Sequence, residues 1–194
     1  IILCSFIILY FYFSKIQENY GDYVIYIPNF LDKQEYYKIL DSIKKDNRPY
    51  DINRNGLFKQ TIIDKKITKL FYSPKYIQKI NHITGNKVME SKIPIEYRIY
   101  QLHNGMEWHK DILLYKQPQY ECVYTINNTS DSTTEYIDHN GKKHSQWTEP
   151  NSLMIVRADG YYHHVKPVTK GEREILKLVY TSTNKLNPET IVEY

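Results

Sequence analysis

The chain has 194 residues, enough for one domain with a sizeable core. Its formal net charge of +4, from 26 basic and 22 acidic residues, is small and scattered with no dense basic patch, so nothing in the charge points to a nucleic-acid partner. Two cysteines, Cys4 and Cys122, make neither a disulfide framework nor a thiolate metal site, and 20 tyrosines among many Ile, Asn and Lys fit an AT-rich coding bias rather than a function.

Residues 1–13 carry no charge, and the run breaks at Ser14-Lys15. It is shorter than the roughly 20 apolar residues of a membrane span. The chain begins with Ile, so this run is expected to be the end of a membrane anchor or of a signal peptide's apolar region, with a buried N-terminal element as the alternative. Residues 1–22 are thus taken as anchor or signal remnant plus linker, and 23–194 as the folded domain.

Tyr23 to Ile27 predicts a strand stopped by Pro28. Asp32 with Glu35 three residues on is a capping-box pattern, and Tyr36, Ile39, Leu40 and Ile43 follow at helical spacing up to Asp46-Pro49. Ser73-Pro74 opens a second helix, with Ile77, Ile80 and Ile83 as its stripe and Gly85 as its stop. From Ile93 the pattern is β-rich, with strands expected over 95–102, 120–126, 133–137, 152–157 and 174–181, separated by Asn/Asp/Gly-rich turns. The layout predicts two helices packed outside a β-sandwich, jelly roll or barrel.

Trp108-His109-Lys110-Asp111 places an imidazole and a carboxylate two residues apart, hence on the same side of a strand. With one later His they make a two-His-one-carboxylate face, which fills three positions of an octahedral iron(II) and leaves three open for other ligands. The later His comes in the run His164-Val165-Lys166-Pro167-Val168-Thr169-Lys170-Gly171-Glu172-Arg173.

Together these motifs, over residues 23–182, resemble the iron(II)/2-oxoglutarate dioxygenase superfamily, in its prolyl 4-hydroxylase-like branch. That branch carries H-x-D, a distal His followed by x-V-x-P-V-x-x-G, then a basic residue. The resemblance implies a mainly β fold with flanking helices, the double-stranded β-helix or jelly roll. It assigns the metal to His109, Asp111 and His164, and the distal carboxylate of 2-oxoglutarate to Arg173, whose guanidinium matches a carboxylate with two parallel hydrogen bonds. The alternative for Arg173 is a surface ion pair with Glu172 or Glu174. His163 competes for the metal, but neighbours on a strand face opposite sides and only one can reach it. The Pro-Val-x-x-Gly register favours His164 and leaves His163 facing solvent or supporting a ligand.

The resemblance also brings Tyr100 and Thr134 to 2-oxoglutarate, with core packing the alternative for Tyr100. It implies Fe(2+), 2-oxoglutarate and O2, with ascorbate as reductant, and a protein or peptide substrate as in procollagen-type prolyl 4-hydroxylases. Three features depart from that branch: Asp131-Ser132 replaces a Gly-Gly pair, Val179 stands where Trp is usual, and the stretch from Ile112 to Gln119 is short. The same motif also fits oxygenases acting on lysine, a nucleobase or a small molecule, or a non-enzymatic metal-binding jelly-roll module. Halogenating relatives lack the carboxylate, so Asp111 favours hydroxylation.

Overall fold

The computed structural model describes residues 24–52, 57–116 and 118–188. Segment 1–22, with the expected anchor or signal, lies outside the described residues; among those described, no helix is long and apolar enough to cross a membrane.

The first strand, β1 (Val24–Ile27), leads into α1 (Lys33–Lys45). The capping box forms as expected: Asp32 Oδ1 accepts from the Glu35 amide at 2.9 Å, and the Asp32 amide donates to Glu35 Oε2 at 3.3 Å. Next come β2 (Asp51–Ile52), β3 (Phe58–Thr61), α2 (Lys65–Phe71), α3 (Pro74–Thr84) and β4 (Met89–Glu90). Of these, α3 matches its expected start and stop. Gly85 ends it at φ 67°, a left-handed conformation in which a Cβ would be strained. Ser73 contributes only its carbonyl, which accepts from the amides of Tyr76 and Ile77. The sequence reading lacked α2, which is only seven residues long, too short to show a helical stripe.

The remaining strands are β5 (Glu96–Tyr100), β6 (Met106–His109), β7 (Gln119–Asn128), β8 (Thr134–Ile137), β9 (Lys143–Gln146), β10 (Ser152–Arg157), β11 (His163–Val165) and β12 (Arg173–Thr181). They form two antiparallel sheets. The larger runs β1-β10-β7-β12-β5-β3-β2, with β4 also paired to β12; the smaller runs β6-β11-β8-β9. Facing sheets with this mostly β content make the jelly roll that the resemblance implied.

Side chains alternate across a strand, so the large sheet has two different faces. On one face Tyr120, Cys122 and Tyr124 of β7, Leu153 and Ile155 of β10, and Leu176, Leu178 and Tyr180 of β12 pack with Ile39 of α1, Phe71 of α2 and Ile80 of α3. This is the main core, and each fully buried aliphatic side chain in it contributes about 1.5–3 kcal/mol. Tyr180 and Tyr36 satisfy their hydroxyls by donating to the carbonyls of Phe71 and Ile126. The helices therefore cover the outside of the large sheet, and its other face is left to meet the small sheet.

That inner face is built differently. A smaller apolar cluster of Leu57, Tyr100, Val165, Val168 and Ile175 closes one end. Beyond it the inward positions carry charge: Arg98, Glu121, Arg173 and Lys177.

Candidate metal and anion site

The two sheets enclose a narrow pocket. The small sheet brings His109, Thr134 and His163 to it, and the large sheet brings Arg98, Tyr100, Glu121, Arg173 and Lys177. His109 is the last residue of β6 and Asp111 follows in the connection out of it. His163 opens β11 and pairs directly with His109. The result is a cluster of two imidazoles and one carboxylate: Nε2 of His163 is 3.4 Å from Asp111 Oδ2, and Nε2 of His109 is 3.8 Å from Asp111 Oδ1. One donor atom from each residue lies within 4.8 Å of the other two. Adjacent donors around an octahedral ion with bonds near 2.1 Å are roughly 3 Å apart, so a small inward movement would close all three on one cation.

The third position is a correction to the sequence reading. His163, not His164, stands with His109 and Asp111. Strand parity is the reason. In β11, His163 and Val165 point between the sheets, while His164 points away from the pocket. There His164 Nε2 bonds Glu135 at 2.7 Å and its ring stacks on Trp108 at 4.2 Å. Lys143 pairs with the same Glu135 carboxylate.

Both inward imidazoles are oriented by a backbone carbonyl. Nδ1 of His109 lies 2.6 Å from the Glu107 carbonyl, and Nδ1 of His163 lies 3.0 Å from the Tyr161 carbonyl. A carbonyl only accepts, so each Nδ1 carries a proton and each Nε2 faces the cluster. Burial, opposed by the nearby Asp111 carboxylate, lowers the pKa of His163 and favours its neutral form.

Arg173 is the second unusual feature. It is 1% exposed, opens β12, and makes no ion pair among the described residues. Nη1 donates to the Thr134 hydroxyl at 3.3 Å and the guanidinium lies 5.8 Å from the Tyr100 ring centroid, while Nε has no hydrogen-bond partner among the described residues. The surface ion pair considered for it is absent: Glu174 instead receives hydrogen bonds from Tyr97 and from Asn127 at 3.1 Å. Burial pulls the Arg173 pKa below the ordinary guanidinium value. Gly171 makes the approach possible. Its φ is 71°, and a Cβ there would lie 2.3 Å from the Thr129 carbonyl oxygen. Tyr100 and Thr134, both named from the resemblance, thus sit against Arg173, although the Tyr100 hydroxyl points to Met106 Sδ at 3.2 Å.

The sequence reading also missed a polar group on the opposite side of the pocket. Glu121 is 3% exposed, and its Oε2 lies 3.3 Å from Nζ of Lys177. Burial raises the Glu121 pKa and Lys177 opposes the shift; Glu121 in turn raises that of Lys177. Gln119, fully buried, donates to Glu121 Oε1 at 2.7 Å, and its own carbonyl accepts from the amides of Leu114 and Tyr115 at 2.8 and 2.9 Å. It therefore ties the connection after Asp111 to the large sheet. The signal for Lys177 was present: it lies two and four residues beyond Ile175 and Arg173, on the same side of a largely apolar strand.

No family model matches the chain, and no curated protein matches it in sequence. Solved structures do resemble it in fold. An oxidoreductase of the 2OG-Fe(II) oxygenase family from Burkholderia pseudomallei superposes with a TM-score of 0.73 at 13% identity, covering 84% of this chain and 86% of that one. SnoN, a non-haem alpha-ketoglutarate-dependent epimerase from nogalamycin biosynthesis, gives 0.73 at 10% identity, over 92% and 84%. A prolyl hydroxylase from Trichoplax adhaerens, in complex with a peptide of hypoxia-inducible factor, gives 0.63 at 15% identity, over 86% and 87%. The chain has the fold of these oxygenases.

Proposed function

We propose that this protein is an iron(II)- and 2-oxoglutarate-dependent dioxygenase that hydroxylates a C–H bond. The observation that carries the reading is Arg173: a guanidinium enclosed between two sheets, without an acidic partner among the described residues, in the same pocket as a His-Asp-His cluster. An isolated buried charge is costly, and a bound carboxylate removes that cost.

His109, Asp111 and His163 would hold the iron through two neutral imidazoles and one carboxylate, leaving coordination positions free. Arg173, with Thr134 and Tyr100 beside it, would take the distal carboxylate of 2-oxoglutarate. When bound, iron and 2-oxoglutarate supply the oxidising chemistry: one O2 is consumed, 2-oxoglutarate becomes succinate and CO2, and the second oxygen atom enters the substrate as hydroxyl. The protein's own share is positional. The carbonyls of Glu107 and Tyr161 orient the imidazoles, Gln119 restrains the connection after Asp111, and the apolar cluster around Ile175 and Val165 keeps the anion end dry.

The finer reading is a prolyl 4-hydroxylase-like activity on a protein or peptide, with ascorbate as reductant. The Trichoplax structure, a prolyl hydroxylase of this fold holding a peptide, supports the prolyl and peptide part of that reading. SnoN has the same fold and is an epimerase of nogalamycin biosynthesis, so fold alone does not choose between a peptide and a small-molecule substrate. The test is succinate release from 2-oxoglutarate with and without Fe(II), then mass spectrometry of proline-containing peptides for one added oxygen atom. Succinate formation that is iron-independent or absent would refute the dioxygenase reading; iron-dependent succinate without peptide oxidation would refute the prolyl reading alone.

A further inference from the structure

We propose that Glu121 and Lys177 recognise an amide group of the substrate, with Lys177 Nζ donating to the amide oxygen and Glu121 Oε2 accepting from the amide N–H. The inference rests on the dioxygenase reading and extends it to a substrate class.

Three observations carry it. Both residues face the pocket that the metal cluster lines, on strands of the opposite sheet. Among the described residues, Glu121 Oε2 is buried and meets only Lys177 Nζ, 3.3 Å away, whereas Oε1 is taken by Gln119. The carboxylate is thus held in one orientation with an acceptor left over. The Lys177 side chain is 27% exposed, against 4% for Glu121, and its ammonium carries donors beyond the one that faces Glu121.

Charge decides what such a pair suits. Lys177 is balanced by Glu121, with Asp111 a further negative group in the same pocket, and the neighbouring Arg98 by Glu96, to which its Nε donates at 2.9 Å and which Lys59, outside the pocket, also meets at 3.8 Å. This side of the pocket therefore exerts little net pull on an anion, unlike the Arg173 side. A neutral group carrying one acceptor and one donor answers a fixed donor and acceptor without disturbing that balance, and an amide is such a group. A purely structural pair is a poorer account, because a buried ion pair can often be replaced by apolar residues without loss of stability.

The experiment uses protein loaded with Fe(II) and 2-oxoglutarate under argon, with binding of three proline derivatives read by ligand-observed NMR. The probes are N-acetylprolinamide, its methyl ester counterpart and N-acetylproline with a free carboxylate. The amide is expected to bind at least about tenfold more tightly than the other two, on the scale of one or two hydrogen bonds. Lys177→Met with Glu121→Gln, which removes both charges together and keeps the pocket filled, is expected to bring the three within about threefold of one another; Lys177→Met alone serves as a second variant. Equal binding in the wild-type protein, preference for the free carboxylate, no amide binding, or an unchanged ratio in the double variant would overturn the inference. The visible absorption of the iron–2-oxoglutarate complex separates the two levels. If the wild-type protein does not form it, the dioxygenase reading falls and this inference with it; if it forms and the ratios are flat, this inference alone falls.

Discussion

His163 faces His109 across paired strands with their ring centroids 4.3 Å apart, and the next residue, His164, turns to the other side of the sheet and bonds Glu135. Two neighbouring histidines therefore have separate duties. His163→Ala is expected to weaken Fe(II) binding by more than about 100-fold, beyond the 10–100-fold typical for loss of a group that only supports a ligand. His164→Ala, which removes a contact on the far side, is expected to change it by no more than about fivefold, the scale of a surface pair. Iron titration of both variants checks this, and the reverse order would restore His164 as the ligand.

Arg173 is expected to show opposite effects on stability and on binding. Arg173→Met removes a buried charge that has no acidic partner among the described residues, so the variant without 2-oxoglutarate should melt at a higher temperature than the wild-type protein. Its affinity for 2-oxoglutarate should fall by about 2 kcal/mol or more, roughly thirtyfold. Thermal melts with and without 2-oxoglutarate test both halves, and a variant that melts lower and binds 2-oxoglutarate normally would remove Arg173 from the anion site.

Gln119→Leu leaves the amides of Leu114 and Tyr115 without their shared acceptor. Each buried amide so orphaned costs about 1–3 kcal/mol. Denaturant unfolding should register the loss, and Fe(II) affinity should drop as well, because the connection after Asp111 loses its anchor to the large sheet. Unfolding affected without any change in iron affinity would make Gln119 a purely structural residue.

Asp32 supplies a pH dependence remote from the site. Its bond from the Glu35 amide holds its pKa at about 2, below the ordinary carboxylate value of 3.8. A carboxyl whose folded pKa is depressed stabilises the fold above its unfolded pKa, and that contribution fades as pH falls towards the folded value. Asp32→Asn keeps a capping side chain without the charge. Wild-type protein should therefore melt above the variant at pH 5, with the gap shrinking between pH 3.8 and about 2. A gap constant across that range would show that the charge contributes nothing.

Much of the architecture was legible because it is local. The capping box at Asp32 and Glu35, the Pro74 start and Gly85 stop of α3, the apolar alternation of β7 and the apolar runs of β10 and β12 each act within a few residues, so their spacing suffices. The strands β2, β4 and β9 were not legible, being short, mostly exposed segments ordered by partners distant in the chain.

The amino-acid sequence alone determined the residue types of the site and their rough order: a His and an Asp two apart, a later pair of histidines, a glycine that lets the chain turn, and an arginine opening an apolar strand. It also contained, in His163-His164-Val165-Lys166, the alternation that turns the first imidazole inward with Val165 and the second outward with Lys166. Which of the two faces the metal cluster depends on which side of β11 the large sheet covers, and that is set by pairing with β6 and β8, not by spacing along the chain. Only the tertiary structure could decide that Arg173 lies buried without an acid among the described residues and that Glu121 meets Lys177, because charge burial and ion pairing depend on what distant segments bring to the same point in space.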